Sequence, residues 1–418
     1  MRVIADLHIH SKYSRACSQD LTPENIGLWA DKKGISVIGS GDLTHPLWRS
    51  ELKQALVEDK PGLYRLKSQA ARAYFLLSVE ISSIYKQGDK VRRIHNLLLV
   101  PNFEAAERLV RELESLGCNL KSDGRPITGL SCDRLAYVAE KADPQIVIVP
   151  AHVWTPHFGL FGSMSGFDSI EEAFKDHSGK IFALETGLSS DPAMNWQVSK
   201  NDRLSLISNS DAHSLRKIGR EANVFEIAED KLSFLEIIRI IKQRGRSEFL
   251  FTIEFFPEEG KYHLDGHADC SFSAQPKETD RLKGICPKCG KKLLVGVLNR
   301  VDQLGDREYG ARPETAVPCK SIIPLEELIA ETYSTGVGKK VLAMYDFMTS
   351  KKPEFEILLD LPREELEKIS DEAIAESVIA VREGRVKIEG GYDGVFGKIE
   401  VLTKEGARQA KRVQADLF

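Results

Sequence analysis

The first 245 residues alternate short apolar runs with amphipathic stretches, a pattern that predicts strands separated by helices. Several apolar runs are almost unbroken, as expected for strands that are buried on both faces. The predicted strands are residues 3–9, 35–40, 74–79, 94–100, 145–150, 180–184 and 205–209. The alternation favours a mostly parallel α/β barrel or a doubly wound sheet.

Capping residues mark the predicted helices. One helix is predicted to begin at Thr22-Pro23, because Thr22 is a good N-cap and Pro23 suits the first helical position, and to end at Gly34. Two more are predicted over about 103–116 and 231–244, each followed by a glycine. The connection between the third and fourth strands is too short for a helix. The fourth strand is therefore predicted to pair antiparallel with the third as a hairpin.

The composition and the pattern of apolar residues change after residue 245, and three domains are predicted. Residues 1–248 form the α/β domain. Residues 249–320, rich in Gly, Pro, Lys and Asp, form a small module. Residues 321–418 return to helical patterning and include two short strands, 385–388 and 398–402, so the last domain is predicted to be α+β.

Composition narrows the class of protein. Hydrophobic residues are 42% and charged residues 29%, which is typical of soluble globular chains. The apolar runs are too short to cross a bilayer and no signal peptide is apparent, so a cytoplasmic location is predicted. The net charge of −4 neither indicates nor excludes nucleic acid. Seven cysteines, an odd number, argue against a disulfide framework.

The strongest chemical signal is the segment Asp6-Leu7-His8-Ile9-His10. Alternate side chains of a strand share a face, so both imidazoles can reach one divalent ion. Other His, Asp and Glu residues follow the other predicted strands, where the chemistry of α/β barrels is usually found. The hairpin brings the start of its second strand to the same rim. The further candidates are Asp42, His45, Glu80, His95, His152, Glu185, Asp211 and His213.

A mixed nitrogen and oxygen ligand set of this size predicts two or three divalent ions, of zinc, manganese or magnesium, and the carboxylate of Glu80 can bridge two of them. Any single member is as easily explained as a structural residue, but the set is not. Such a centre activates water and stabilises both oxygens of a displacement at phosphorus. The residues therefore predict phosphoester hydrolysis, with His8, His10, Glu80, Asp211 and His213 as the catalytic group.

A structural zinc site is predicted in the middle module. Two short ligand pairs separated by a loop, with Cys-Pro-Lys-Cys-Gly as a knuckle, have the spacing of such sites. The ligands are His267, Cys270, Cys286 and Cys289. His263 and Cys319 remain alternatives to His267, and a reduced cysteine pair is the alternative to zinc. Its role is to fold a module with little core of its own.

Two glycine-rich stretches lie in the last third of the chain. In residues 335–340 the backbone amides with Lys339 and Lys340 can hold a phosphate, although the full P-loop spacing is missing. A plain helix start explains this stretch equally well. In residues 390–397 either Tyr392 or Phe396 can stack on a base, with internal packing as an equal alternative.

These motifs resemble those of the PHP-domain phosphoesterases. The resemblance rests on residues 6–10, 41–45 and 210–213 together with Glu80, His95 and His152. Residues 41–46, 262–267, the cysteine knuckle and residues 391–398 look like the endonuclease Q family within that superfamily, over essentially the whole chain. The resemblance implies a distorted (β/α)7 PHP barrel, followed by the zinc module and a C-terminal domain that helps to grip DNA.

The resemblance also implies a function and a ligand scheme. The enzyme would cut double- or single-stranded DNA on the 5′ side of a deaminated base (uracil, hypoxanthine or xanthine) or an abasic site, with the lesion flipped out of the helix. One ion would be held by the first-motif histidines, Glu80 and Asp211, and a second by Glu80, His95 and His152. His45 and His213 would hold a third, with Asp20 and Asp42 as further ligands.

Three other expectations remain open. A small-molecule phosphatase of the PHP type is one alternative, and a non-catalytic DNA-binding partner of a repair helicase is another. The extra domains argue against the first, and the large ligand set argues against the second. Residues 414–418 are a truncated match to a sliding-clamp-binding motif.

Overall fold

The computed structural model describes residues 1–403, and the predicted alternation of strands and helices is found as far as residue 254. The strands of this part are β1 (Arg2–Asp6), β2 (Val37–Gly39), β3 (Leu56–Lys60), β4 (Leu63–Leu66), β5 (Tyr74–Gln87), β6 (Lys90–Val100), β7 (Ile127–Thr128), β8 (Val147–Pro150), β9 (Ala183–Glu185), β10 (Ser205–Ile207), β11 (Ala222–Glu226) and β12 (Phe249–Glu254). The helices are α1 (Pro23–Lys33), α2 (Pro46–Ala55), α3 (Phe103–Ser115), α4 (Cys132–Ala142), α5 (Ile170–Phe174), α6 (Pro192–Asn195) and α7 (Phe234–Gln243).

The helices begin, end and bury their apolar faces as the local sequence predicts. The Thr22 side chain accepts a hydrogen bond from the Asn25 backbone and caps α1, which ends at Gly34 with φ at 87°, a value that favours glycine. Helices α3 and α7 turn apolar stripes inward, with Leu109 and Ile240 fully buried.

A large mixed sheet organises the first 254 residues. Strand β1 lies between β2, which is parallel to it, and β11, which is antiparallel. Strand β2 continues parallel to β5, and the predicted hairpin is confirmed because β6 runs antiparallel to β5 and then pairs with β8. Strands β9 and β10 form a parallel pair, and Val153 N donates to Glu185 O beside the end of β8. Several strand ends therefore meet at one rim.

The sheet is less parallel than the pattern predicted. Strands β3 and β4 form an antiparallel hairpin at its edge, and β12 pairs antiparallel with β11. The middle of β3, Val57-Glu58-Asp59, is exposed, so it lacks the continuous apolar pattern of a buried strand. Its sequence therefore gave no strand signal.

The middle segment leaves the large sheet and returns to it. After β12 come β13 (Asp265–His267), β14 (Phe272–Ala274), α8 (Pro276–Arg281), α9 (Val297–Leu304) and β15 (Cys319–Ser321). Strand β15 pairs parallel with β12, so residues 255–318 form an insertion between two strands of one sheet. The predicted limits at 248 and 320 stay predictions.

Helices dominate the remainder of the described chain. They are α10 (Leu325–Thr332), α11 (Lys339–Lys351), α12 (Glu354–Leu359), α13 (Arg363–Ile369) and α14 (Glu372–Arg382), followed by the antiparallel pair β16 (Val386–Glu389) and β17 (Lys398–Val401). The two predicted C-terminal strands are thus present. Each helix within residues 1–403 is too short or too polar to cross a membrane.

A buried ion pair joins these helices to the first domain. Lys33, at the end of α1, is 2% exposed, and its Nζ lies 2.6 Å from Glu354 Oε2. Tyr345 OH donates to the same oxygen at 2.8 Å, and Leu325 N donates to the other at 3.0 Å. Every polar atom of the Glu354 carboxylate is therefore engaged in an apolar setting.

Two wholly buried carboxyl groups, Glu221 and Glu254, lie near the ends of β11 and β12. The register pairs Ala222 with Ile253, which makes Glu221 and Glu254 cross-strand neighbours. Hydroxyls of Thr186 and Ser208 donate to Glu254, each at 3.1 Å, and neither carboxyl is ion-paired within residues 1–403. Burial raises the pKa of Glu254 to about 8.

We expect this raised pKa to make stability fall as pH rises. The folded chain keeps a proton that the unfolded chain releases near pH 4.5, so the stabilisation present below about pH 4.5 is lost as pH rises toward about 8, by at most about 1.4 kcal/mol per pH unit. Glu254→Gln should flatten this slope. Urea unfolding at about pH 5.5 and about pH 7.5 measures it, and equal slopes in both proteins would contradict it.

Candidate metal centre

The rim of the sheet places the first-motif histidines just beyond β1. Asp6, the last residue of β1, accepts hydrogen bonds from the backbone of Ser210 at 3.0 Å and Gly219 at 2.9 Å. It thereby ties β1 to the loop that carries Asp211. Ile9 also forms a bridge with Ala212, so the two segments are fixed side by side.

Four side chains from three separate segments converge here. The ligand atoms of His8, His10, Glu80 and Asp211 lie within 4.8 Å of one another. His10 Nε2 is 3.0 Å from Asp211 Oδ1 and 3.4 Å from Glu80 Oε2. His8 Nε2 is buried and has no hydrogen-bond partner in the described chain. A buried, unpartnered imidazole nitrogen facing carboxylates fits a divalent cation.

A second group shares Glu80 with the first. Glu80 Oε1 lies 2.6 Å from His95 Nδ1 and 3.0 Å from His152 Nε2, and these three residues form their own ligand group. The other oxygen of Glu80 faces the first group. Because one carboxylate presents an oxygen to each group, the arrangement suits a bridge between two ions.

The protonation states of the histidines and carboxylates in the centre depend on one another. Burial alone would lower the pKa of His8, but the carboxylates of Glu185 and Glu80 raise it well above its ordinary value. Burial lowers the pKa of His95 to about 4. Although burial opposes ionisation of Glu80, the surrounding histidines hold the pKa of that carboxyl well below its ordinary value. An ionised carboxylate and a neutral imidazole are the forms that bind metal.

Two further carboxylates orient the histidines. Glu185 lies 3.0 Å from His8 Nδ1 and also accepts from the backbone of His152 at 2.9 Å. Asp42 lies 3.0 Å from His10 Nδ1, and both its oxygens accept hydrogen bonds from Ser11 or Ser14. Since a carboxylate only accepts, each holds Nδ1 as a donor and directs Nε2 to the centre. Asp42 therefore lies behind the ligand group and not in it.

We expect Asp42→Asn to weaken activity and metal affinity by roughly 10–100-fold, the usual effect of losing such a supporting carboxylate. The amide keeps the shape but removes the charge that faces His10 and turns an NH2 toward a serine donor. Metal titration and the rate of phosphodiester cleavage measure the effect. Asp176→Asn, on the exposed surface, is the control. An unchanged metal affinity would show that Asp42 does not orient His10.

Besides Asp42, three predicted ligands do not join either group. His45 Nδ1 accepts from Trp48 N at 3.4 Å, so this side chain caps α2, and its ring stacks on Tyr13. His213 lies at the edge, with Nδ1 2.7 Å from Asp211 O. Asp20 is exposed and pairs with the hydroxyl of nearby Ser18. The implied third-ion ligands are therefore not assembled in one group of described residues.

Arg125 is a residue of this site that the sequence did not reveal. Its Nη1 lies 3.2 Å from Glu80 Oε2, and it lines a pocket of about 420 Å³ together with His95, His152, Phe158 and Asp211. The preceding Gly124 passes so close to Asp42 that a Cβ atom would lie 2.2 Å from a carboxylate oxygen. The loop that contains Gly124 and Arg125 has no periodic pattern of apolar residues, so the sequence did not indicate that Arg125 reaches the site.

The predicted zinc ligands do come together. His267, Cys270, Cys286 and Cys289 place one ligand atom each within 4.8 Å of the others. Cys286 is buried and Cys289 exposed, and Cys289 Sγ lies 4.0 Å from His267 Nδ1. Neither His263 nor Cys319 belongs to this group, which leaves His267 as the fourth member.

The weaker predicted DNA contacts differ in exposure. Lys339 and Lys340 are exposed at the start of α11. Phe396 is 69% exposed, with Lys261 Nζ 4.5 Å from the centre of its ring. Tyr392 is half-buried, and its side chain lies where a Cβ on Gly266 would clash, so it packs on the zinc segment. Residues 414–418 lie outside the described residues.

Some known proteins resemble part of this chain, and others resemble nearly all of it. A family model described as the MJ0043 C-terminal domain matches residues 324–385. Protein MJ0043 of Methanocaldococcus jannaschii is 32% identical over 255 residues, which are 59% of this chain and 31% of that protein. This chain thus spans about a third of the length of that relative.

Two solved structures match nearly the whole chain. One is the lesion-specific endonuclease PfuEndoQ from Pyrococcus furiosus, with a TM-score of 0.85, 31% identity and 96% of both chains covered. The other is endonuclease Q bound to a 27-mer duplex with an abasic lesion at its active site, with a TM-score of 0.84, 31% identity and coverage of 97% of this chain and 98% of that one.

Proposed function

This chain belongs to the endonuclease Q family, and we propose that it is a DNA repair endonuclease that cuts the phosphodiester bond 5′ to a deaminated or abasic nucleotide. The observation that carries the proposal is the position of Glu80. One oxygen of this buried carboxylate faces His8, His10 and Asp211, and the other faces His95 and His152, beside an open pocket.

His8, His10, Glu80 and Asp211 would hold one divalent ion and Glu80, His95 and His152 a second, and such ions would supply Lewis acidity to a water and to the phosphoryl oxygens. The side chains of the protein orient the metal-binding imidazoles and contact the phosphate. Glu185 and Asp42 fix the imidazoles, so that no rearrangement is needed when DNA arrives. Arg125 presents a guanidinium at the pocket, where it can neutralise the phosphate and replace its contact with Glu80.

The pocket suits an extruded nucleotide. Its volume of about 420 Å³ is within the range of small-ligand sites, and Phe158 and Ile127 line it beside His157. A deaminated base differs from a normal one at its pairing edge, which is hidden in the duplex, so reading it requires flipping. The lesion therefore enters this pocket while its 5′ phosphate lies over the metal groups.

The predicted domains complete the proposal. Seven strands (β1, β2, β5, β6, β8, β9 and β10) form a distorted PHP barrel that carries the centre in residues 1–248. Residues 249–320 form the zinc module, and residues 321–418 grip DNA, with Lys339 and Lys340 on phosphates and Phe396 on a base. A cytoplasmic location is part of the same proposal, as is a contact of residues 414–418 with a sliding clamp.

We expect Cys289→Ser to remove one zinc per chain. An alcohol oxygen is a poor substitute for a thiolate ligand, so the insertion should become sensitive to protease while the rest of the chain stays folded. Zinc content and limited proteolysis measure this. Cys319→Ser is the matched control, because Cys319 lies outside the group. Loss of zinc in the control instead would move the fourth ligand to Cys319.

The test of the function uses labelled duplexes with one uracil, one hypoxanthine or one abasic site, and an undamaged duplex. The enzyme is assayed with manganese, magnesium or zinc, and with chelator. A single nick 5′ to the lesion, lost with chelator, is the expected result. Lesion-independent release of phosphate from a small monoester would instead indicate a phosphatase. Lesion binding without cleavage under any metal would indicate a binding protein.

A further inference from the structure

The β5–β6 hairpin extends well beyond the metal centre. Its two strands pair without interruption from Leu77 opposite Val100 to Gln87 opposite Lys90. Strand β8 covers β6 only as far as Asn96, and β7 touches β5 only at Ser82 and Ser83. The outer half of the hairpin therefore projects past the sheet, starting from the two strands that carry Glu80 and His95.

One face of this hairpin is continuous with the metal centre. Alternate residues share a face, so the face that carries Glu80 continues through Ser82 and Ile84 to Lys86. On β6 the register places His95, Arg93 and Val91 on that same face. From Glu80 to Lys86 it runs about 20 Å, the axial length of about six nucleotides of one DNA strand.

This face is exposed and basic toward its tip. Lys86 and Arg93 are both exposed, and neither is ion-paired with any residue from 1 to 403. Val91 is 51% exposed. The opposite face is packed instead, where the guanidinium of Arg92 lies 4.0 Å from the centre of the Phe167 ring. Two cationic side chains without ion-pair partners in residues 1–403 thus lie on the exposed face, whereas the opposite face is packed against the protein.

The hairpin is held in place from its free edge. His95 N donates to Phe158 O at 2.9 Å, and the hydroxyl of Ser165 donates to Arg93 O at 3.3 Å. Arg92 donates to Gly166 O. The loop 158–166 therefore braces β6 up to Arg93, so the backbone that carries Arg93 is fixed before any ligand arrives.

We propose that this face, defined by Lys86 and Arg93 with Ile84 and Val91, is a binding surface for the DNA backbone that holds phosphates next to the one being cut. The inference rests on the proposed function. Arg93 lies two residues from His95, about 7 Å along the strand, so a phosphate bound there belongs to a nucleotide beside the cleavage site. The apolar side chains between the cations face the sugars.

The test compares the full-length protein with the double variant Lys86→Ala/Arg93→Ala. Binding to an undamaged duplex and to an abasic duplex is measured by fluorescence anisotropy over a range of salt concentrations. Each lost phosphate contact should reduce the slope of log K against log salt by about 0.9, so the double variant should lose about 1.8 and bind roughly tenfold or more weakly at about 0.1 M salt.

Two controls separate this surface from general charge and from folding. Arg111→Ala/Lys231→Ala removes the same two charges from exposed positions on α3 and beside the opposite end of β1, and should keep the wild-type slope. Lys86→Arg/Arg93→Lys keeps both charges and should also keep it. An unchanged slope and affinity in the alanine double variant would overturn the inference. If the wild type never nicks lesion DNA, the proposed function fails, and the salt slopes still decide whether this face binds DNA.

Discussion

Glu80→Gln is expected to reduce lesion-dependent nicking by roughly 10³-fold or more and to remove bound metal from both groups. The amide has the same shape, but it offers one neutral oxygen where two anionic oxygens now face His95, His152, His10 and Arg125. A catalytic divalent ion typically contributes several kcal/mol to stabilising charge at phosphorus, and each 1.36 kcal/mol is tenfold in rate. Metal content by mass spectrometry and single-turnover nicking measure the two effects separately.

Glu185→Gln is the matched control for that variant. Glu185 is equally buried at the same rim, but it contacts the far nitrogen of His8 and belongs to neither ligand group. Its replacement should cost only about 10–100-fold. A Glu80→Gln protein that keeps its metal and nicks within tenfold of wild type would show that Glu80 is not a shared ligand.

Lys33→Met is expected to destabilise the protein by about 3–5 kcal/mol. The change leaves the Glu354 carboxylate buried, 2% exposed, without its counter-ion. Removing one partner of a buried pair is costly because the other charge is left uncompensated in a low-dielectric setting. Because Glu354 also accepts from Tyr345 and Leu325, the damage should fall on the contact between α1 and the C-terminal helices. Urea unfolding measures it.

The neighbouring residue provides the control. Lys32 pairs with Asp346, whose side chain is 65% exposed, so Lys32→Met should cost under about 1 kcal/mol. The double variant Lys33→Met/Glu354→Gln should recover part of the loss, because it removes both charges together. Equal effects of the Lys32 and Lys33 variants would rule out a special role for the buried pair.

The candidate metal centre was largely predictable because its side chains follow strands. The first-motif histidines lie on a two-residue repeat, and the short connection before His95 required a hairpin that returns it to Glu80. Both deductions need only the geometry of a strand. Asp20 was selected by closeness in sequence, which does not fix where a loop side chain points, and the structure leaves it exposed.

Loops were where prediction failed. Arg125 reaches Glu80 from a segment without periodicity, and only the folded path of Gly124 over Asp42 brings it there. His45 has the right residue type for a ligand, but its Nδ1 accepts from the backbone of α2 and it belongs to neither ligand group. Whether a polar side chain coordinates, caps or supports depends on which partners lie within about 3 Å, and sequence spacing does not determine that.

Most strands and helices of the first 254 residues, the β5–β6 hairpin, the convergence of histidines with acidic residues and the cysteine group follow from the sequence, because local periodicity, capping and metal-ligand spacing act over a few residues. By contrast, the positions of Asp42 and Glu185 behind the histidines and the contact of Lys33 with Glu354 are visible only in the folded chain. These relations join residues separated by up to hundreds of positions. Packing of whole elements against one another fixes them, and no local pattern records it.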